Sequence, residues 1–325
     1  MFQFRPLQVP DDYPRLSELF TADRPEPVSV EQIAEGDSRI PTPGPVRHDE
    51  QGRLVSHCRD RLVATDESGL VVAYAEIWRA PWSPPGWLFP YVLVDSARRH
   101  QGLGTRVLRQ VEAIAREKRA EWVYSEIRDS YTEAIAWVKR HGYEIERHSF
   151  ESTLDLSAFD ESPFGGAVEA VTAGGLRFAT LAEEPGEATE RKLHALSQQT
   201  AEDIPGYPGD FMPFGEWRKW TLEGERVPYD GVIFALDGDQ VAGATFCKRE
   251  DSGAFYTTYT GVDRAYRGRG LALALKLLAV RAAKRHGAPY MRTNNDSLNG
   301  PMLAVNRNMG YQPEPGLYRI RKRFD

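Results

Sequence analysis

One short pattern occurs twice in this chain, 168 positions apart, and it constrains the fold more than any other feature. The first copy reads Arg99-His100-Gln101-Gly102-Leu103-Gly104 and the second Arg267-Gly268-Arg269-Gly270-Leu271-Ala272. Each copy follows an apolar, strand-like run and opens a run with helical spacing. Gly142-Tyr143 and Gly310-Tyr311 repeat with the same offset, so a whole domain is duplicated. An offset this long excludes a solenoid, whose repeats span about 20–50 residues. A chain of 325 residues suits two domains of roughly 150. We place the first domain at residues 1–157 and the second at 176–325. The stretch 158–175 holds Pro163, Gly165-Gly166 and Gly174-Gly175 among acidic residues and reads as a linker.

The two halves read alike along their length. Residues 61–65 and 70–78 flank the turn Asp66-Glu67-Ser68-Gly69, and 231–236 and 241–248 flank Asp237-Gly238-Asp239-Gln240, so each half carries an early hairpin. Later, strands alternate with helices whose apolar residues recur at helical spacing, as in Leu103, Val107, Val111, Ile114 and Ala115. Residues 143–156 are expected to close the first half and 317–323 the second. Early hairpins followed by strand–helix alternation predict an α/β class chain, with an α+β mixed sheet and helices on its faces.

The repeated pattern has a chemical logic. A helix N-terminus exposes unpaired N–H groups and the positive end of the helix dipole, and so binds phosphate oxygens. Glycines just before it remove side chains that would hold a phosphate away. An arginine at its start adds a planar donor fork. The spacing suits a pyrophosphate. No Gly-x-x-x-x-Gly-Lys-Ser/Thr is present, which argues against a Walker-type hydrolase. The pattern lies far into each half and not on its first strand, which argues against a dinucleotide-binding Rossmann unit.

With these motifs, the strands before them and the trailing Gly-Tyr pairs in view, both halves resemble the GNAT (GCN5-related N-acetyltransferase) family, and the chain resembles a tandem pair. The resemblance implies acetyl-CoA as cofactor. Its pyrophosphate would lie against Arg99, His100, Gln101, Gly102, Leu103, Gly104 and Thr105 in the first domain, and Arg267, Gly268, Arg269, Gly270, Leu271 and Ala272 in the second. The preceding strands, at Val92, Leu93 and Val94 and at Thr260, Gly261 and Val262, would run beside the pantetheine arm. A backbone N–H there would polarise the thioester carbonyl, much as an oxyanion hole does. The family often shows an Asn, a Tyr seven residues on, and then Gly-Phe/Tyr. Here Asn299 and Asn306 occupy those places in the second half, Tyr131 and Val138 in the first, so the usual tyrosine proton donor is missing from both. Asn299 and Asn306 are expected cofactor contacts; Asn294, Asn295 and Asn299 also read as a solvated loop ending in a helix cap.

The resemblance implies an N-acetyltransferase acting on a small-molecule amine by direct attack in a ternary complex, with the second domain the more active. No residue stands out as the base. Candidates for a catalytic part are Tyr256 and Tyr259 on the strand facing the acetyl group, Asn306, and Asp203 in the stretch 200–210, where relatives form the acceptor wall. The alternatives are an acyl-CoA-binding sensor or pseudoenzyme without turnover, and acetylation of a thiol precursor as in mycothiol synthase. A net charge of −6 argues against a nucleic-acid partner. No run of about 18 apolar residues suggests a membrane span. The N-terminus lacks a signal-peptide pattern, and two cysteines, Cys58 and Cys247, suit a reducing cytoplasm. The seven histidines form no metal-ligand spacing, so no metal is expected. The chain is expected to be a monomer or homodimer.

Overall fold

The computed structural model describes residues 2–23, 27–38, 40, 43–80, 83–207, 211–224 and 226–324. The chain divides into two compact units. Unit 1 comprises Met1–Ile127, Tyr131–Glu146 and Arg319–Asp325; unit 2 comprises Arg128–Ser130 and Arg147–Tyr318. In chain order the elements are β1 (Gln3–Pro6), α1 (Tyr13–Asp23), α2 (Val30–Ser38), β2 (Cys58–Thr65), β3 (Val71–Arg79), β4 (Trp87–Val94), α3 (Leu103–Glu117), β5 (Trp122–Arg128), α4 (Thr132–Arg140) and β6 (Glu144–Asp155). There follow α5 (Ala167–Ala173), β7 (Arg177–Thr180), α6 (Glu187–Ala201), α7 (Phe214–Thr221), β8 (Val232–Asp237), β9 (Gln240–Arg249) and β10 (Phe255–Val262). The chain ends with α8 (Leu271–Arg285), β11 (Tyr290–Asp296), α9 (Gly300–Asn308), β12 (Gln312–Pro313) and β13 (Leu317–Arg323).

The expected hairpins are present: β2 pairs antiparallel with β3 and β8 with β9. Buried strands alternate their side chains between two layers of helix. On β8, Val232, Phe234 and Leu236 enter a core that includes Leu193 and Leu196 of α6 and Trp217 of α7. Ile233 and Ala235 enter one with Leu271, Leu275 and Ala279 of α8. In unit 1, Tyr13, Leu16 and Leu19 of α1 meet Val63, Tyr74 and Leu93. The helix α3 buries Leu103, Val107, Leu108, Val111 and Ala115.

Two features depart from the sequence reading. The stretch 158–175 is structured, not a bare linker: it forms α5, whose Val171 is buried in the α8 core, and Glu161 accepts from Arg281 at 2.8 Å. Its glycines serve as helix caps, with Gly166 at φ 84° before α5 and Gly174 after it. The second departure concerns closure. The sheet of unit 1 runs β1-β2-β3-β4-β5-β13-β6, so the chain's final strand lies beside β5. The sheet of unit 2 runs β6-β11-β10-β9-β8-β7, so most of β6 serves that unit. The closing strands are thus exchanged. Periodicity marks both as strands but carries no information on which neighbour each pairs with. In unit 1, Ile320 is 2% exposed, Lys322 Nζ lies 2.8 Å from Glu112, and the Phe324 N–H donates to the Glu121 carbonyl at 2.8 Å.

Candidate functional site

The two repeated loops agree down to single hydrogen bonds. In each, an aspartate ends the strand and accepts from a backbone N–H two residues on: Asp95 from Ala97 and Asp263 from Ala265, both at 2.9 Å. Arg99 Nε donates to the Val94 carbonyl and Arg267 Nε to that of Val262, both at 3.1 Å. Gln101 donates to the Ala97 carbonyl at 3.3 Å and Arg269 to that of Ala265 at 3.1 Å. Gly102 and Gly270 are then left-handed, at φ 76° and 78°, and neither supplies a side-chain cap to the helix it opens. The leading N–H groups of α3 and α8 therefore point outward without a capping partner, which is the arrangement that receives anionic oxygens. His100 takes a left-handed φ of 61° where its counterpart is Gly268, at 75°.

Below each loop the parallel strands part. β4 and β5 pair only at Trp87↔Trp122 and Leu88↔Val123. β10 and β11 pair at Phe255↔Met291, Tyr256↔Arg292 and Thr257↔Thr293 and then stop. The register of β10 against β9 shifts between Thr257 and Tyr259, a bulge that bends the strand there. From Thr258 to Val262 the backbone edge toward β11 has no ladder partner, so a fork opens between the strands. Ser125 and Thr293, related by the 168-residue offset, reach across where pairing fades, donating to the carbonyls of Pro90 (3.0 Å) and Thr257 (3.3 Å).

The sequence candidates fall into place around this fork. In unit 2, Gly261 lies beneath the Tyr259 ring, and a Cβ there would come 1.9 Å from the Tyr259 hydroxyl. That hydroxyl meets Thr200 Oγ1 at 2.6 Å, and burial pushes its pKa up to about 12. Tyr259 is thus a half-buried wall that keeps its proton at neutral pH. Gly261→Ala should cost about 2 kcal/mol of stability through overpacking, measured by denaturant unfolding. Thr260 pairs its hydroxyl with Thr245 at 2.9 Å. Tyr256 carries the Lys248 ammonium 5.1 Å from its ring centre, and burial raises its pKa. In unit 1, Leu93 gives its side chain to the core and Trp137 donates its indole N–H to Thr105 at 3.3 Å.

Asp203 accepts from Arg264 at 2.8 Å and from Arg267, and the two guanidiniums hold its carboxyl below the usual carboxylate range. It ties the 200–210 stretch to the loop that precedes α8. Asp23, at the end of α1, plays the same part for Arg99 at 3.4 Å. This pairing is invisible to the repeat offset, because the early helices differ in length. Of the stretch 200–210, residues 208–210 lie outside the described residues.

Asn299 is the N-cap of α9, accepting from the Met302 N–H at 3.4 Å. Asn294 and Asn295 belong to β11, not to a loop. Asn295 is buried and donates to Ser152 Oγ (2.9 Å) and to the Phe150 carbonyl (3.2 Å). Asn306 donates to Asn295 Oδ1 at 2.7 Å, is 2% exposed, and leaves its own Oδ1 buried without a partner. An orphaned buried acceptor is costly and marks a place for an external donor. In unit 1 the same positions differ: Tyr131 donates to the Asp23 carbonyl at 2.8 Å, and Val138 is buried. Among the described residues, no cluster of His, Cys, Asp or Glu could hold a metal, and no helix is long and apolar enough to cross a membrane.

Comparison with known proteins agrees with this geometry. A model of the Acetyltransferase (GNAT) family matches residues 14–143 and 194–311. Among solved structures, a GCN5-related N-acetyltransferase from Sphaerobacter thermophilus is 22% identical, with a TM-score of 0.60 over 99% of this chain and 95% of that one. A tandem GNAT protein from the clavulanic acid biosynthesis pathway is 19% identical, with a TM-score of 0.55 over 99% and 98% of the two chains. A glucosamine N-acetyltransferase region of a fungal multi-domain GH3 β-N-acetylglucosaminidase is 14% identical, with a TM-score of 0.61, covering 99% of this chain and 38% of that one. At these identities the likeness is one of fold. A search of curated proteins found no match.

Proposed function

The chain belongs to the GNAT acetyltransferase family, and on that premise we propose that its second unit transfers an acetyl group from acetyl-CoA to the amine of a small molecule. The observation that supports this most is the uncapped start of α8 standing at the mouth of the fork between β10 and β11. The N–H groups that follow Gly270 receive the pyrophosphate. The unpaired edge of β10 from Thr258 to Val262 hydrogen-bonds the pantetheine arm as a neighbouring strand would. Asn306 Oδ1 takes an N–H from the same arm, which relieves its buried orphan state.

Acetyl-CoA supplies an acyl carbon already activated as a thioester. The chain's own part is to fix that carbon at the fork, to offer a backbone N–H to its oxygen, and to exclude water. Preset dipoles of this kind stabilise developing charge. Holding the amine beside the carbon in one complex contributes several kcal/mol more. The amine attacks as the free base, having lost its proton to solvent.

Unit 1 has a matching phosphate loop, but Val138 stands where Asn306 would be, and Tyr131 is tied to α1. It is a cofactor-binding or supporting copy. Calorimetry with acetyl-CoA, paired with thiol release across a panel of small primary amines, tests the assignment. Binding with release for at least one amine is expected. Binding without release across the panel would favour a sensor, and no binding would refute the assignment.

A further inference from the structure

Lys276, in the second turn of α8, is 2% exposed. Its ammonium lies 4.9 Å from the centre of the Tyr311 ring, and no carboxylate among the described residues pairs with it. The titratable groups that face it are Cys247 of β9 and Tyr311, just past α9. β10 contributes the Thr257 hydroxyl, whereas β8 and α5 bring apolar Ile233, Ala235 and Val171 to the same core. Thr257 Oγ1 stands 3.9 Å from Cys247 Sγ and lies near enough to the Tyr311 hydroxyl to offset part of the rise that burial causes in its pKa. Thr257 is also the last residue of β10 paired with β11. A polar string therefore runs from the buried ammonium to the crotch of the fork.

The fold does not require this lysine. At the corresponding place in unit 1 stands Leu108, fully packed. A buried charge without a partner is destabilising, and an apolar residue of similar volume would avoid the cost. The fork is also where a cofactor held by the α8 loop would bring its sulfur, so a role for this lysine rests on the acetyl-CoA site proposed for unit 2.

We propose that Lys276 is a positioning residue that stabilises negative charge on the cofactor sulfur at the fork, acting through Tyr311 and Thr257. It does in this unit what the family's missing tyrosine donor would do. In the transfer a C–N bond forms as the C–S bond breaks. The electron pair of the broken bond goes to sulfur, and the proton of the attacking amine leaves to solvent. A cation against the Tyr311 ring adds positive potential at the fork, where the sulfur's charge appears. Asn306 spends an amide N–H on Asn295, and the atom it leaves without a partner is an acceptor. Burial lowers the Lys276 pKa to about 8, so the group is charged at neutral pH and loses its effect above that value.

The test uses CoA itself, whose free thiol reports the charge it feels. Binding is followed by calorimetry, and ionisation of the bound thiol by its ultraviolet thiolate absorbance against pH, with the ligand-free protein subtracted. The proteins are wild type, Lys276→Met and Lys276→Leu, each checked for folding by a thermal melt. The wild type should ionise bound CoA below the free-thiol value of about 8.5, and both variants about one unit higher, roughly a tenfold loss of thiolate at a given pH. Affinity at pH 6, where the thiol keeps its proton in every protein, should be unchanged. Coincident ionisation curves with intact binding would overturn this inference alone. Failure of the wild type to bind CoA would overturn it together with the assignment of function.

Discussion

Lys276→Met stabilises unit 2 by about 3 kcal/mol at pH 7. The side chain is fully buried, and its pKa falls from 10.5 to about 8 through desolvation, with the nearby Cys247 working in the opposite direction. Below pH 8 the folded and unfolded chains both carry the proton, and the folded state bears the whole penalty of a buried charge. Between pH 8 and 10.5 the unfolded chain binds more protons than the folded one, so wild-type stability rises with pH across that window. A methionine of similar length bears no such penalty, so the difference between the two proteins is largest at pH 7 and shrinks toward pH 10. Denaturant unfolding at pH 7 and pH 10 measures this directly. A variant no more stable at pH 7 than the wild type would show that the amine is not a buried charge. Turnover should move the other way. The wild type loses rate as pH rises past about 8, while deprotonation of the acceptor amine raises it on the acid side. The variant should lack the alkaline fall.

Gly270→Glu weakens acetyl-CoA binding at unit 2 by more than about a hundredfold, close to 3 kcal/mol. The glycine holds φ 78° at the start of α8, and nothing lies within 4 Å of where its Cβ would be. The new side chain therefore meets no protein atom, and the folding cost is limited to about 1–2 kcal/mol for a left-handed residue. The ligand meets both bulk and a like charge where the uncapped N–H groups of α8 face outward. Gly270→Ala carries the same backbone strain without the charge and should lose much less. Calorimetry on the two variants, with the matching Gly102→Glu in unit 1, also shows which loop is filled. Equal affinities for Gly270→Glu and wild type at that site would remove the phosphate-loop assignment.

The two repeated loops are the most legible part of this chain. Their geometry is local: a strand end, two glycines and a helix start within about ten residues, each set by backbone preferences that the residues declare. Hairpins at Asp66-Glu67-Ser68-Gly69 and Asp237-Gly238-Asp239-Gln240 are legible for the same reason. Features that stay hidden depend on contacts distant in sequence. Asp203 reads as a candidate for a catalytic part, and no pattern tells that it will meet Arg264 and Arg267. Asn295 reads as a solvated amide, because nothing local shows that β11 and α9 bury it against Asn306. Lys276 sits in a run of leucines and alanines, and helical spacing alone places it on the buried side. That reading is resisted by the rarity of buried, unpaired lysine. The stretch 158–175 misleads for a simpler reason, since glycines that punctuate a loop also cap a helix.

The exchanged closing strands tie the folding of unit 1 to the order of synthesis. When a ribosome has released residues 1–157, the place beside β5 that β13 fills is still vacant, and residues 147–155 have yet to meet β11. Both segments then present bare strand edges, the usual seeds of wrong association. Completion of unit 1 must wait for Leu317–Arg323 to emerge, long after the rest of its sheet. In a chain that ended at residue 157, a strand other than β13 would have to take the place beside β5, so either half alone would need to close its sheet in a different way.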